Sequence, residues 1–231
     1  MAIISPYKFR QGRGKSGAGL TKMLNHFNGA DEGSIPADEI VGISWIASNS
    51  ILESAAPFVK FGTTGLHMDT GTAYAEGTGL SLSSASSWTA EVFAVGESTG
   101  KNAAAGPIRL LSNTDICMVF VVTPGPINTY LFQVRDSLGA LIVDNTGAVT
   151  TTVAMQHLAV VYNGASYQAY VEGTRVVNAA VATNMRTPDR ARLLSSGTLA
   201  NGNGWDEIRI SQTARYTGAS LTVPTSEFTV D

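Results

Sequence analysis

Few residues in this sequence have the types and spacing that catalysis or metal binding requires. His26, His67 and His157 show neither His-x-x-x-His nor Glu-x-x-His spacing, so they form no transition-metal motif. No Gly-x-Ser-x-Gly elbow is present to activate a serine nucleophile. Asp206 and Glu207 are adjacent carboxylates, and neighbouring side chains on a strand point to opposite faces. We therefore expect no joint action of this pair on one bond, and we predict that the chain is not an enzyme.

The sequence also contains an incomplete phosphate-binding motif and a single cysteine. The run 12–16 (Gly-Arg-Gly-Lys-Ser) resembles the end of a phosphate-binding loop, but Phe9 stands where the complete motif requires glycine. The single Cys117 excludes both an intramolecular disulfide framework and a cysteine metal site. It lies in the apolar run 116–122, so we expect a buried, unreactive thiol. That run is also too short to cross a membrane as a helix.

Short strands must position whatever site the chain has. In residues 88–95, Trp88 and Val92 share one face of a strand with two alanines, and Glu91, Phe93 and Val95 share the other, so both faces of this strand should be covered. The segments 155–162 and 167–171 form a predicted hairpin around Asn-Gly at 163–164, a pair that favours a type I′ turn. A second tight turn is predicted at 172–174.

Two more segments complete this pattern. A strand pair is predicted at 130–134 and 140–143, with a turn at 136–139. In the last strong strand, 205–210, Ile208 and Ile210 share one face, and Asp206 should share it and point inward. Ten or more such strands without helical periodicity predict an all-β fold, an antiparallel β-sandwich or jelly roll.

Composition agrees with one such domain preceded by an arm. The chain of 231 residues is 44% hydrophobic, only 14% charged, and contains 24 glycines. Residues 1–20 are glycine-rich and without periodicity, and we interpret them as an extended basic arm, with residues 21–231 as the jelly-roll domain. The arm carries a cluster of four cations that we predict to bind a partner surface: Lys8, Arg10, Arg13 and Lys15. No basic region followed by an apolar block is visible at the N-terminus, so no signal peptide and no membrane association are predicted.

Four segments resemble the laminin-G-like, or concanavalin-A-like, jelly-roll family. They are 23–29 (Met-Leu-Asn-His-Phe-Asn-Gly), 60–69, the hairpin 156–173, and 204–211 followed by Ala-Arg-Tyr-Thr at 214–217. The closing motif is the most specific of these. With the following Pro224 it is most similar to virion proteins of tailed bacteriophages.

The resemblance implies a concanavalin-A-like fold, and members of this family have two kinds of site that can be sought in the sequence. Relatives that hydrolyse glycosides carry a Glu-x-Asp-x-x-Glu arrangement, which this sequence lacks. Relatives that bind calcium use Asp and Asn oxygens from edge loops, for which Asp69, Asp206 and Asn201 are weak candidates here. For Asp206 we favour the alternative that its carboxylate is hydrogen-bonded to loop amides. No other cofactor is predicted.

Aromatic residues near strand ends form a candidate glycan platform, because a ring can stack on a pyranose: Trp45, Tyr74, Trp205 and Tyr216. For each of them, core or interface packing is the alternative interpretation.

The leading functional hypothesis is a bacteriophage virion structural protein, a capsid decoration (cement) protein made in the host cytoplasm. Its predicted partners are the major capsid protein or other virion proteins, with assembly as a homo-oligomer and no specific nucleic acid. The alternative is a glycan- or receptor-binding lectin module on the tail or virion surface, with surface glycans as partners. The fold alone does not choose between these hypotheses.

Overall fold

The computed structural model describes residues 20–68, 73–96, 105–123, 129–149, 155–181, 183–194 and 203–231. Within these ranges the chain forms strands and no helix, and no segment is a helix that could cross a membrane. The fifteen strands, in chain order, are β1 (Thr21–Asn25), β2 (Ser44–Ser48), β3 (Ser50–Glu53), β4 (Gly65–Met68), β5 (Tyr74–Thr78), β6 (Trp88–Gly96), β7 (Ala105–Ser112), β8 (Asp115–Thr123), β9 (Thr129–Arg135), β10 (Leu141–Ala148), β11 (Gln156–Tyr162), β12 (Ser166–Val171), β13 (Thr174–Ala180), β14 (Arg190–Leu194) and β15 (Asn203–Ser211).

The strands form two antiparallel sheets that pack as a sandwich, which confirms the predicted jelly-roll class. The order in the eight-stranded sheet is β13-β12-β11-β6-β15-β4-β3, with β1 paired to the second half of β15. The order in the seven-stranded sheet is β10-β9-β8-β7-β14-β5-β2. In both sheets, neighbouring strands are often distant in the chain, so each outer face collects side chains from several separate segments.

The main hydrophobic core lies between the sheets. Its largest members are fully buried aromatic residues, among them Trp88, Trp205, Tyr167, Phe120 and Phe132. Burial of each such side chain contributes roughly 1.5–3 kcal/mol to folding. The inner face of β6 supplies Trp88 and Val92, and its outer face supplies Glu91, Phe93 and Val95, as the alternation in the sequence predicted.

The predicted hairpins are present, but one turn differs from the expectation. In the β11–β12 turn only Gly164 has positive φ (92°), so the predicted type I′ turn at Asn163-Gly164 is wrong. Asn163 instead accepts hydrogen bonds through Oδ1 from the amides of Ala165 and Ser166, at 2.9 and 2.8 Å. Both residues of the β12–β13 turn, Glu172 and Gly173, have positive φ (46° and 79°), and a two-residue type I′ turn requires this.

Candidate functional site

The outer face of the eight-stranded sheet is covered by the chain itself. Phe228 and Val223 pack on an apolar cluster that includes Phe93 and Leu24. Tyr216 and Leu221 pack on a second cluster on the same face, Ala159, Val161 and Tyr170. The segment that follows β15 therefore lies across this sheet. The apolar outer face of the sheet is covered by that segment and is not available as a binding surface.

A buried ionic network holds this C-terminal cover in place. The Glu91 carboxylate, 1% exposed, accepts hydrogen bonds from Arg209 Nε and Nη2 (2.9 and 2.8 Å) and from the Tyr216 hydroxyl (2.7 Å), and His157 Nε2 lies 3.0 Å away. Burial alone would raise the pKa of Glu91, but His157, Arg209 and Tyr216 outweigh it and lower that pKa. Because Tyr216 belongs to the cover and the other three to the sheet, the network joins the two.

The adjacent carboxylates Asp206 and Glu207 do not follow simple alternation. A β-bulge between Asp206 and Arg209, with Glu207 at φ 56°, inserts one extra residue opposite β6. Asp206 therefore pairs with outer-face Phe93, while Ile208 and Ile210 point into the core, so the expectation that Asp206 points inward with them is wrong.

The partners of the two carboxylates follow from this bulge. Asp206 Oδ2 accepts hydrogen bonds from the amides of Lys60 and Phe61 (2.7 and 2.8 Å), the predicted loop-amide arrangement. Glu207 Oε2 accepts a hydrogen bond from the Phe228 amide (2.8 Å) and lies 2.7 Å from His26 Nδ1. Both carboxylates are fully buried in the outer-face layer, so the argument that they point to opposite faces does not hold for this pair.

Of the three calcium candidates, only Asp206 is described, since Asp69 and Asn201 lie outside the described residues. No group of three or more His, Cys, Asp or Glu side chains with metal-binding geometry occurs in the described part of the chain. Calcium binding stays a prediction. Cys117 is fully buried, and burial raises the pKa of its thiol to about 12, which agrees with the expected unreactive cysteine.

The four aromatic candidates do not come together. Trp205 is fully buried in the core, so its candidacy as a glycan platform is wrong. Tyr216, which is part of the C-terminal cover, donates its hydroxyl hydrogen bond to Glu91 on the opposite sheet from Tyr74. Half-buried Trp45 packs on the core, edge-on to Phe27, and donates from Nε1 to Asp38 (2.9 Å). Of the four, only Tyr74 lies on the outer face of the seven-stranded sheet.

The four cations of the predicted basic arm lie outside the described residues.

The outer face of the seven-stranded sheet carries a set of polar and charged side chains, most of them partly exposed. No hydrophobic cluster covers it within the described ranges. A row of directly paired positions crosses this face from β2 to β10: Ile46, Glu76, Arg192, Arg109, Val119, Gln133 and Asp144. From Glu76 to Asp144 the row spans five strand intervals, or about 24 Å.

Glu76 organises the arginines of this row. Its carboxylate is 2% exposed and accepts hydrogen bonds from Arg192 Nε (2.6 Å) and Arg190 Nη1 (3.1 Å). Arg192 also lies over the Tyr74 ring, with Cζ 5.1 Å from the ring centroid. Arg190 has a second carboxylate partner, Asp189, 2.7 Å from its Nε. These contacts fix the orientation of two guanidinium groups on the face.

Arg109 lies on the same face, and the part of the chain that the structure describes provides no counter-charge for it. It pairs directly with Arg192 across β7 and β14, and no described carboxylate forms an ion pair with it. Its Nε is buried without a hydrogen-bond partner. Burial, followed by the nearby charge of Arg192, lowers the pKa of Arg109. An unpaired cation opposite a like charge is unfavourable for folding, which is typical of residues kept for binding.

The sequence analysis missed this set, although part of the signal was present. In residues 190–194, Arg190 and Arg192 alternate with apolar residues, which predicts a strand with a charged outer face. Arg109 lies on a strand far away in the chain, and its register with Arg192 could not be read from either segment alone.

Comparison with solved structures supports the fold. The structure superimposes on a botulinum neurotoxin serotype D binding domain (TM-score 0.62, 5% identity, 84% of this chain and 49% of that chain). It also matches the CBM2 module of an evolved Dit protein from Lactobacillus casei BL23 phage J-1 (TM-score 0.53, 9% identity, 87% and 99%). A third match is domain 4 of AbnA, a GH43 extracellular arabinanase from Geobacillus stearothermophilus, in complex with arabinotriose (TM-score 0.55, 12% identity, 85% and 94%).

This chain thus spans about half of the neurotoxin domain and nearly all of the other two modules. No protein-family model and no curated protein matches the chain, so the laminin-G-like assignment stays an expectation within a β-sandwich fold that carbohydrate-binding modules share.

Proposed function

We propose that this protein is a glycan-binding module that uses the outer face of its seven-stranded sheet. The observation that carries the proposal is the polar row centred on Arg192 and Arg109, flanked by Tyr74 and extending to Gln133 and Asp144. Saccharides are bound by planar hydrogen-bonding side chains together with an aromatic or apolar contact, and this row supplies both. Its length of about 24 Å suits a chain of several sugar rings lying across the strands.

The covered state of the opposite sheet supports this choice of face. There Phe228 and Tyr216 of the C-terminal segment pack on the sheet, Phe228 against Phe93, and Glu91 is saturated by protein partners. A ligand on that side would have to displace a segment held by a buried ionic network. A ligand on the seven-stranded side meets partly exposed polar groups that are already in place.

The setting that we propose is a bacteriophage virion. Two observations support it: the closing motif at 204–217 that resembles phage proteins, and the shared fold with a phage Dit carbohydrate-binding module. A virion surface repeats each protein many times, so weak single-site affinities for a cell-surface glycan combine into strong attachment. In this proposal the protein has no catalytic role.

The capsid-decoration hypothesis stays a prediction, because it depends on the basic arm, which lies outside the described residues. Deletion of residues 1–20 tests it: the shortened protein should fold but fail to attach to virus particles. Full attachment of the shortened protein would exclude an arm-dependent role.

The glycan proposal is tested by binding of the full chain to a panel of immobilised bacterial surface saccharides. We expect binding that Arg192→Gln weakens at least tenfold, because this change removes an oriented guanidinium from the centre of the row. Arg175→Gln, on β13 of the other sheet, is the matched control and should bind as the unmodified protein does. Absence of binding to every saccharide at millimolar concentration would contradict the proposal.

A further inference from the structure

The seven-stranded face has an excess of positive charge at one point. Arg190 and Arg192 share the carboxylate of Glu76, and Asp189 pairs with Arg190, so these four groups balance as two cations and two anions. Arg109 is the additional cation, and it lies directly opposite Arg192. The chain as a whole carries a net charge of −3, so this local excess is not a consequence of composition.

The Arg109 side chain is partly exposed, with one end of its guanidinium buried. Its Nε is buried without a hydrogen-bond partner. Its two terminal nitrogens make no hydrogen bond to a described residue. Because the side chain is partly exposed while Nε is buried, the terminal nitrogens are the part of the guanidinium that faces solvent. The direct pairing of the two arginines places both side chains on this face, and guanidinium N–H groups bind carboxylate or phosphate oxygens in pairs.

We propose that Arg109 and Arg192 form a subsite for a negatively charged substituent of the saccharide, so that the module selects acidic over neutral glycans. This inference rests on the proposed glycan-binding function and specifies its ligand class. An anion at this point supplies the missing counter-charge of Arg109 and relieves the repulsion between the two arginines. The neutral part of the saccharide then extends over Val119 towards Gln133 and exposed Asp144, where an anion would be repelled.

The substituent could be a carboxylate or a phosphate, and paired probes distinguish the two. Tetragalacturonate is compared with its full methyl ester, sialyllactose with lactose, and a phosphorylated mannan fragment with its dephosphorylated form. We expect at least one acidic probe to bind tenfold or more tightly than its neutral partner. That preference should weaken in high salt, because it is electrostatic.

Two substitutions link the preference to the subsite. Arg109→Gln should bring the acidic-to-neutral affinity ratio to within twofold of one, and Arg109→Lys should restore it only in part, because an ammonium group cannot make the paired contact. Thermal melting of both variants checks that they fold.

The outcomes separate the two proposals. Equal affinity for acidic and neutral partners, or an acidic preference that survives Arg109→Gln, would overturn the subsite while leaving glycan binding intact. Failure to bind any saccharide would overturn both. A preference for the phosphorylated probe alone identifies the substituent as phosphate and supports the subsite.

Discussion

Arg109 and Arg192 lie directly opposite each other on β7 and β14, and of the two, Arg192 alone has a carboxylate partner among the described residues. Like charges in directly opposed positions of antiparallel strands are destabilising. Glu76 compensates Arg192, whereas no described group compensates Arg109, so no ionic contribution to folding explains the presence of Arg109, and this is the basis of the binding role proposed for it.

The first prediction contrasts Arg109 with Glu76. Arg109→Gln should lower the free energy of unfolding by no more than about 0.5 kcal/mol, and an increase is equally consistent, because the change removes repulsion between two arginines. Glu76→Gln should lower it by about 1–3 kcal/mol, because Arg190 and Arg192 lose a buried counter-charge and one of its two acceptor oxygens becomes an amide donor. Urea denaturation measures both values. A larger loss for Arg109→Gln than for Glu76→Gln would mean that Arg109 is structural.

The second prediction concerns the cover on the eight-stranded sheet. Glu91→Gln leaves Arg209 without its buried counter-charge and should lower the free energy of unfolding by about 3–5 kcal/mol. Glu227→Gln, a change at an exposed carboxylate, is the control and should cost less than about 0.5 kcal/mol. Limited proteolysis of Glu91→Gln should cut first in the segment after residue 214. Uniform cleavage along the chain would contradict a specific role in holding this segment.

The third prediction is a fall in stability as the pH rises through neutrality. Burial is the main cause that raises the pKa of Asp206 from 3.8 to about 7. Between these values the folded protein binds a proton that the unfolded chain has released, so the free energy of unfolding decreases as the pH rises, by at most roughly 1.4 kcal/mol per pH unit. His26 acts in the same direction: burial lowers its pKa, but Glu207, together with the charges of Glu39 and Glu227, outweighs burial and raises it.

Asp206→Asn isolates this contribution, because an amide can still accept from Lys60 and Phe61 but cannot ionise. Melting temperatures at pH 5 and pH 8 should differ less for Asp206→Asn than for the unmodified protein. Asp144→Asn, at an exposed position, should leave the difference unchanged. Identical pH dependence in Asp206→Asn and the unmodified protein would refute the assignment.

The fourth prediction separates two tyrosines. Tyr74→Ala should weaken saccharide binding about three- to tenfold, since the Tyr74 ring supports Arg192 on the binding face. Tyr216→Phe should leave binding unchanged but lower the free energy of unfolding by about 1 kcal/mol, through loss of the hydrogen bond to Glu91. Calorimetric titration measures saccharide binding, and urea denaturation measures the free energy of unfolding. Weakened binding in Tyr216→Phe but not in Tyr74→Ala would place the ligand on the other sheet.

The fold could be predicted from sequence wherever the signal is local. The alternation of Trp88, Val92 and Phe93 gave the correct faces of β6, and the Glu172-Gly173 pair gave a correct turn. The bulge at Glu207 could not be predicted, because nothing in its local sequence requires positive φ, and one extra residue reverses the faces of Trp205 and Asp206 relative to Ile208.

The candidate site was less predictable than the fold. Its central pair, Arg109 and Arg192, depends on the register between strands that are distant in the chain. The partly buried aromatic residue of the proposed site, Tyr74, was one of four candidates with similar local patterns. Long-range register is set by the packing of the whole sandwich, which no single segment encodes.

The central claim is that ligands bind to the outer face of the seven-stranded sheet. NMR titration with the tightest-binding oligosaccharide tests it most directly, since backbone amide shifts report the bound surface residue by residue. We predict that the largest shift changes fall on β5, β14 and β7, around Glu76, Arg192 and Arg109. Changes confined to β6, β11 and the segment after residue 214, with the arginine row unaffected, would contradict the account.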